Sequence, residues 1–334
     1  MNHALSLLAP GVRALLLTGL LVTIGCQKSD VPEATAPALL RIGFFPNITH
    51  AAALVGLHET TTRGAAGWFE SRTGAKIEWI PFNAGPSAIE ALLAGTVDVT
   101  YVGPSPVING YTRSGGADIR VLTGAARGGA ALVVPKESQA TTAKEFRGKK
   151  IASPQLGNTQ DVAARAWLRA GGLDVRLTGG DAFVVPTPNP DQLTLFKRGQ
   201  LDGVWTVEPW VSRLELEAGG KVLVEESNVL TTVIATSVKT LRHKAELTKK
   251  FLAAHEELTR KIAADGAWAK PAVNAALAKA TTRSVPEPLL NHAWARLKFS
   301  TEVKTDDFTV MQREAKAVGL LPREVDLSKL LAQP

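Results

Sequence analysis

Hydrophobic positions cluster in short runs that alternate with segments of helical period. Strand-like runs lie at 40–45, 77–82, 97–102, 120–125, 130–134, 150–153, 182–185, 203–205, 221–225 and 231–236. Helical spacing fills 65–72, 87–94, 106–113, 159–170 and 190–198 between them. Strand–helix–strand alternation at this spacing predicts parallel sheets in an α/β fold. Beyond Leu241 the pattern turns almost wholly helical, over 243–265, 286–297 and 306–318. Pro271 is expected to break or kink the middle of that region. Two short sheets followed by a helical tail predict two lobes, with the chain crossing between them near 128–135 and returning near 226–233. The first lobe then comprises 39–130 with 231–334, and the second 131–230.

One apolar stretch is of another kind. It runs from Ala14 to Ile24, preceded by Arg13 and ending at Gly25-Cys26. A charged start, an apolar middle and a small residue before the cut read as a secretion signal over residues 1–25. Cys26, the only cysteine, stands directly after the small residue. That arrangement resembles the bacterial lipoprotein box, in which the thiol is lipidated, although Thr23 stands where that box usually has leucine. An ordinary signal peptide with a chance cysteine is the plainer alternative. A spanning helix over Ala4 to Gly25 is a third, against which Arg13 near its centre would cost about 2.5–3.5 kcal/mol. Residues 26–38 are then the lipidated cysteine and a Ser/Pro/Ala/acid-rich tether. A single thiol excludes intramolecular disulfides.

Charge narrows the class further. The net charge is +7, yet Lys and Arg are dispersed, with no basic run interleaved with aromatics. Nucleic acid is therefore excluded as a partner, and small anions or an anionic membrane surface remain. The six histidines show no metal-binding spacing. Neither a metal nor a cofactor is expected, and no catalytic residue is assigned.

In open α/β sheets, ligands sit beyond the carboxyl ends of the strands, where helix N-termini point. The turns there are rich in Gly, Pro, Ser, Thr and Asn. After the first strand comes Phe45-Pro46-Asn47-Ile48-Thr49-His50. Asn47 or Thr49 would cap the next helix and leave backbone N–H groups for an anion, while His50 reads either as a satisfied helix-start residue or as a ligand contact. Gly85-Pro86-Ser87 and Ser105 open the next two helices, and Asn158-Thr159-Gln160 opens the first helix of the second lobe. Trp205 and Glu208 follow a later strand, Trp205 facing the presumed cleft and Glu208 orienting a loop or pairing with a cation. Arg127 is read as an oxyanion clamp or as a solvated hinge residue.

Four strings carry a resemblance: NAGPSAIEALLAGTVDVTYVGPSP, FRGKKIASPQLGNTQDVAARAWL, LFKRGQLDGVWTVEPW and EAGGKVLV. With their spacing, they resemble the solute-binding proteins of ABC importers in the nitrate, aliphatic sulfonate and taurine group, over about residues 39–321. The resemblance implies the type II periplasmic-binding fold, two lobes joined by two crossover segments, with the C-terminal helices on the first lobe. It also implies a cleft lined by the turns at Gly85 to Ser87, Ser105, Asn158-Thr159 and Trp205 to Glu208. The expected function is delivery of a small organic anion, an aliphatic sulfonate above all, to a membrane permease. The protein is expected to be a monomer held outside the cytoplasmic membrane by lipid on Cys26. Taurine, nitrate, a pyrimidine thiamin precursor and an aromatic carboxylate are the other ligands considered. A pyrimidine-forming enzyme on the same fold is the alternative class, and it would need a reactive His and Cys constellation.

Overall fold

The computed structural model describes residues 37–332. The leader, Cys26 and the tether up to Ala36 lie outside the described residues. The chain begins with β1 (Leu39–Phe44), α1 (Ala51–Arg63), α2 (Trp68–Thr73), β2 (Lys76–Pro81), α3 (Gly85–Ala94), β3 (Val99–Val102), α4 (Pro104–Arg113) and β4 (Ile119–Gly128). It then crosses directly into β5 (Ala130–Pro135), and continues through β6 (Lys150–Ser153), α5 (Thr159–Ala170), β7 (Phe183–Pro186) and α6 (Asn189–Lys197). β8 (Gly203–Val207), α7 (Trp210–Ala218) and β9 (Gly220–Glu226) complete that part, and β10 (Leu230–Ser237) carries the chain back. The remainder is α8 (Val238–His243), α9 (Ala245–Ala264), α10 (Gly266–Thr281), α11 (Glu287–Ala295), β11 (Leu297–Phe299) and α12 (Thr305–Ala317).

The strands form two sheets. One has six strands in the order β11-β4-β10-β3-β1-β2, the other five in the order β7-β6-β8-β5-β9. β1 pairs in parallel with β2 and β3, and β6 in parallel with β7 and β8. β10 and β5, the strands entered on each crossing, run antiparallel to their neighbours. Helices cover both faces, so central strands need no polar side: all four residues of β3, all five of β8 and all eight of β10 are buried. That is why these segments read as continuous apolar runs rather than alternating ones.

At the first crossing Gly128 and Gly129 have φ of 74° and 71°. That left-handed conformation is cheap only for glycine. It turns the chain out of one sheet and into the next within a single residue between β4 and β5.

Pro271 does not break the tail. α10 runs through it from Gly266 to Thr281. The proline lies near the helix start, where one backbone bond is lost, while Ala269, Val273, Ala276 and Leu277 remain buried. Burial of that face offsets a loss of roughly 3 kcal/mol. α10 packs on α1, α9 on α2, and α12 on both α4 and α5. Among the described residues, no helix is long and apolar enough to cross a membrane.

Candidate functional site

Between the carboxyl ends of the two sheets lies a narrow cleft with about 30 Å³ of internal room. Its walls come from the turns after β1, β2, β3, β6 and β7, together with β8 and β10. α3, α4, α5 and α6 all begin beside it, so their first-turn N–H groups, which have no intrahelical acceptor, surround one space. Pro86 and Pro104 stand in the first turns of α3 and α4, where a missing N–H costs nothing.

The α5 wall is braced from behind. Asn158 caps the helix, its Oδ1 accepting from the Asp161 amide at 2.8 Å. Asp161 in turn accepts from Gly157 N at 2.9 Å and Ser153 Oγ at 3.2 Å, and pairs with the buried Arg165 at 3.1 Å. The charge of Asp161 is thus satisfied inside the second sheet's layer, and only the neutral cap faces the cleft.

Every polar side chain lining the cleft is neutral. His50 is the one titratable group among the lining residues, and burial lowers its pKa to about 3. Its Nδ1 accepts from the Phe45 amide at 3.2 Å, so Nε2 carries the proton. The Phe45 ring packs against the imidazole at 4.4 Å between centroids. The same selection recurs at the amides. Trp210 Nε1 donates to Asn47 Oδ1 at 3.2 Å, Thr206 Oγ1 to Asn189 Oδ1 at 3.1 Å, and Asn158 Nδ2 to Gln160 Oε1 at 3.2 Å. Each acceptor is therefore taken by the protein. The side-chain N–H groups of Asn47, Asn189 and Gln160 and the Nε2–H of His50 have no protein partner among the described residues. A cleft built this way suits a ligand with oxygen acceptors and no acidic hydrogens of its own.

Bonds also cross the cleft. Ile48 N donates to Glu208 O at 3.1 Å, Gln155 Nε2 to Ser87 Oγ at 3.3 Å, and Ser105 N to Thr159 Oγ1 at 3.4 Å. Gly103 lies so close to Thr159 that any Cβ there would collide with Oγ1.

The sequence-predicted residues divide in two. Phe45, Asn47, Thr49, His50, Gly85, Asn158, Thr159 and Gln160 meet around the cleft. Pro86 and Ser87 stand beside it without lining it, Ser87 bonded across to Gln155. Arg127 is held by Asp307 at 2.6 Å and by the Asn228 carbonyl at 3.3 Å. Its guanidinium points to the C-terminal helix. Trp205 is 2% exposed and packs on Trp167, its Nε1 donating to Glu226 Oε2 at 3.2 Å. The ring is held against Trp167 and Glu226, off the cleft lining, while Thr206 reaches Asn189 and Val207 at the strand end lines the cleft. Glu208 is fully buried, accepting from Ser212 N and Oγ at 3.1 and 2.8 Å and from Arg296 at 3.2 Å. Burial raises its pKa despite those partners. Ser105 turns to a different hollow. Asn83, Asn189 and Thr231 line the cleft without having been singled out. Asn189 had a signal, since Thr187-Pro188-Asn189-Pro190 occupies the same strand-to-helix position as the other turns.

The NMT1-like family model matches residues 33–281, and the chain belongs to that family. Two curated relatives carry specific descriptions. The taurine-binding periplasmic protein of Escherichia coli is 27% identical over 48% of this chain and 48% of its own length. A putative aliphatic sulfonates-binding protein of Bacillus subtilis is 28% identical over 52% of each. The chain spans about half the length of the curated relatives it matches. The alkanesulfonate-binding protein of Xanthomonas axonopodis pv. citri, solved with MOPS bound, superposes with a TM-score of 0.71 at 22% identity, covering 90% of this chain and 99% of that one. The fold is that of the periplasmic binding proteins.

Proposed function

We propose that the chain is the solute-binding component of an ABC importer and captures a small organic anion, an aliphatic sulfonate above all. One observation carries this reading. At four positions in the cleft the protein consumes the acceptor and leaves the donor, which fits a group offering only oxygen lone pairs. Converging helix N-termini add a favourable field of roughly 0.3–1 kcal/mol each, up to about 2 where partly buried. Phe45, Pro106, Pro154 and Val207 supply apolar wall for an organic portion that bare nitrate lacks. The descriptions of the taurine- and sulfonate-binding relatives support the same ligand class.

Ligand bridging the two sheets would shift the molecule toward the closed arrangement, with the crossings at Gly128-Gly129 and Ser227 to Val229 as hinges. The permease would then pull the halves apart. In this reading the protein works as a monomer outside the cytoplasmic membrane, held there by lipid on Cys26. The lobes of that hinge are 39–130 with 231–334, and 131–230.

A thermal-shift series on the mature protein tests the ligand. Ethanesulfonate at about 100 times its dissociation constant adds roughly 2.7 kcal/mol of stability. Nitrate gives a smaller shift, and a hydroxymethylpyrimidine none. A shift with the pyrimidine and none with any sulfonate overturns the proposal.

A further inference from the structure

Behind the Ser105–Thr159 contact lies a second concavity. Two adjoining hollows of about 400 and 580 Å³ share Ala163, Glu226 and Glu314. They form one groove between α5 and β9 on one side and α12 on the other. Its chemistry is opposite to that of the cleft. The Glu314 carboxylate has no hydrogen-bond or ion partner among the described residues, and burial raises its pKa. Glu226 accepts only the Trp205 indole N–H. Burial, with the Glu314 charge adding, pushes its pKa up to about 7. Asp307 is neutralised by Arg127, Asp306 adds a further negative charge, and Arg169 is the one cation on the lining.

An acidic cluster alone would be a solvated surface. Here a second observation points to an occupant. Ser105, 4% exposed, lies on the wall of the groove, and its Oγ has no hydrogen-bond partner. A buried hydroxyl left unpaired costs roughly 1–3 kcal/mol. The aromatic wall is also in place, since Trp167 lines the groove edge-on to Trp205 at 6.0 Å. Val310, 51% exposed, stands uncovered on the opposite bank.

We propose that this groove binds an organic ammonium ion with an apolar body, its charge between Glu226 and Glu314 and its body against Trp167. Two carboxylates without a cationic partner face one groove and supply the charge that an ammonium needs, and the Trp167 indole offers apolar surface to its body. Such an ion would also tie β9 to α12, and through α12 to α4 of the first sheet. The site is separate from the anion cleft and does not depend on what the cleft binds.

Calorimetric titration at pH 8, where Glu226 is ionised, tests it with phenethylamine as the cation and 2-phenylethanol as its uncharged counterpart. Saturable binding of phenethylamine and at least about tenfold weaker binding of the alcohol are expected. Glu226→Gln and Glu314→Gln should each weaken phenethylamine about tenfold or more. Gln at 226 can still accept from the Trp205 indole, and an unchanged melting curve would separate lost binding from lost folding. Asn189→Ala, which removes a cleft donor, should leave phenethylamine binding unchanged. Equal binding of the alcohol, wild-type affinity in both Gln variants, or no saturable binding up to about 10 mM overturns the proposal.

Discussion

The ligand cleft and the seam where the chain crosses between the sheets lie side by side, yet they are built from different chemistry. The cleft lining is neutral. The seam holds the charge: Arg127 with Asp307 at 2.6 Å, and Arg296 with Glu208 at 3.2 Å and Glu215 at 2.9 Å. An arginine fixed in the cleft would hold an anion strongly and release it slowly. In the proposed role, amide, imidazole and helix-end donors would hold it through several weaker contacts that separate when the halves part. Charge near the cleft is instead paired off where the backbone must be held in place. The difference suits the proposed role of a carrier, which would have to let go.

The comparison breaks most visibly at Glu208. Its carboxylate is fully buried with three protein donors, and its carbonyl receives Ile48 N across the cleft. Glu208→Ala leaves the Ser212 amide unsatisfied and removes one partner of a buried pair. A loss of about 3 kcal/mol in unfolding free energy is expected, at the low end for such pairs because Arg296 keeps Glu215. Urea denaturation measures it. A change within about 0.5 kcal/mol would place Glu208 among ordinary surface positions.

His50 and Arg127 give the next contrast, because the sequence offers both as anion contacts. His50→Phe removes the Nε2 donor and should weaken sulfonate binding about 10- to 100-fold, the equivalent of about 1.4–2.8 kcal/mol for a hydrogen bond to a charged group. Arg127→Ala should alter affinity less than about threefold and instead lower stability by about 1–2 kcal/mol through loss of the Asp307 pair. Titration calorimetry and melting of both variants decide the matter. The reverse pattern would move the anion site toward α12.

Much of this was legible in the chain. Every strand placed from apolar runs has a counterpart, because strands buried on both faces print as continuous hydrophobic stretches. The turns at Asn47, Gly85, Asn158 and Thr159 were legible because helix starts at strand ends face the cleft. The capping expected of Asn47 or Thr49 does not form: Asn47 Oδ1 accepts from Trp210 instead, and among these residues only Asn158 caps its helix. What the sequence hid was side-chain direction. Trp205 and Thr206 are adjacent, and only the register of β8 shows which turns inward. Nor could the sequence pair Arg127 with Asp307, which are 180 residues apart. β11 escaped notice because three residues of edge strand carry no periodicity.

The smallest expected effect concerns pH, and it pits buried histidines against a buried carboxyl. Burial lowers His50 to about 3 and His255 to about 4. His255 is held neutral between Tyr101 Oη at 3.0 Å and the Gly124 carbonyl at 3.0 Å. Unfolded histidines take up protons below about 6.5 while these do not, so each contributes stability above that pH and loses it as pH falls toward its folded value. Glu226, raised to about 7, acts in the opposite sense. Folded, it keeps a proton that the unfolded chain releases, so its contribution is present below about 4.5 and lost as pH rises to about 7. Each fully shifted group is worth about 1.4 kcal/mol per pH unit within its window. Between pH 6 and pH 5 the two histidines outweigh Glu226, and the contribution of these three groups to stability should fall by about 1 kcal/mol. In Glu226→Gln the same acid step should steepen, and in His255→Gln it should flatten. Melting curves at pH 5, 6 and 7 distinguish the three proteins. Parallel profiles would mean that these groups titrate alike in the folded and unfolded chains.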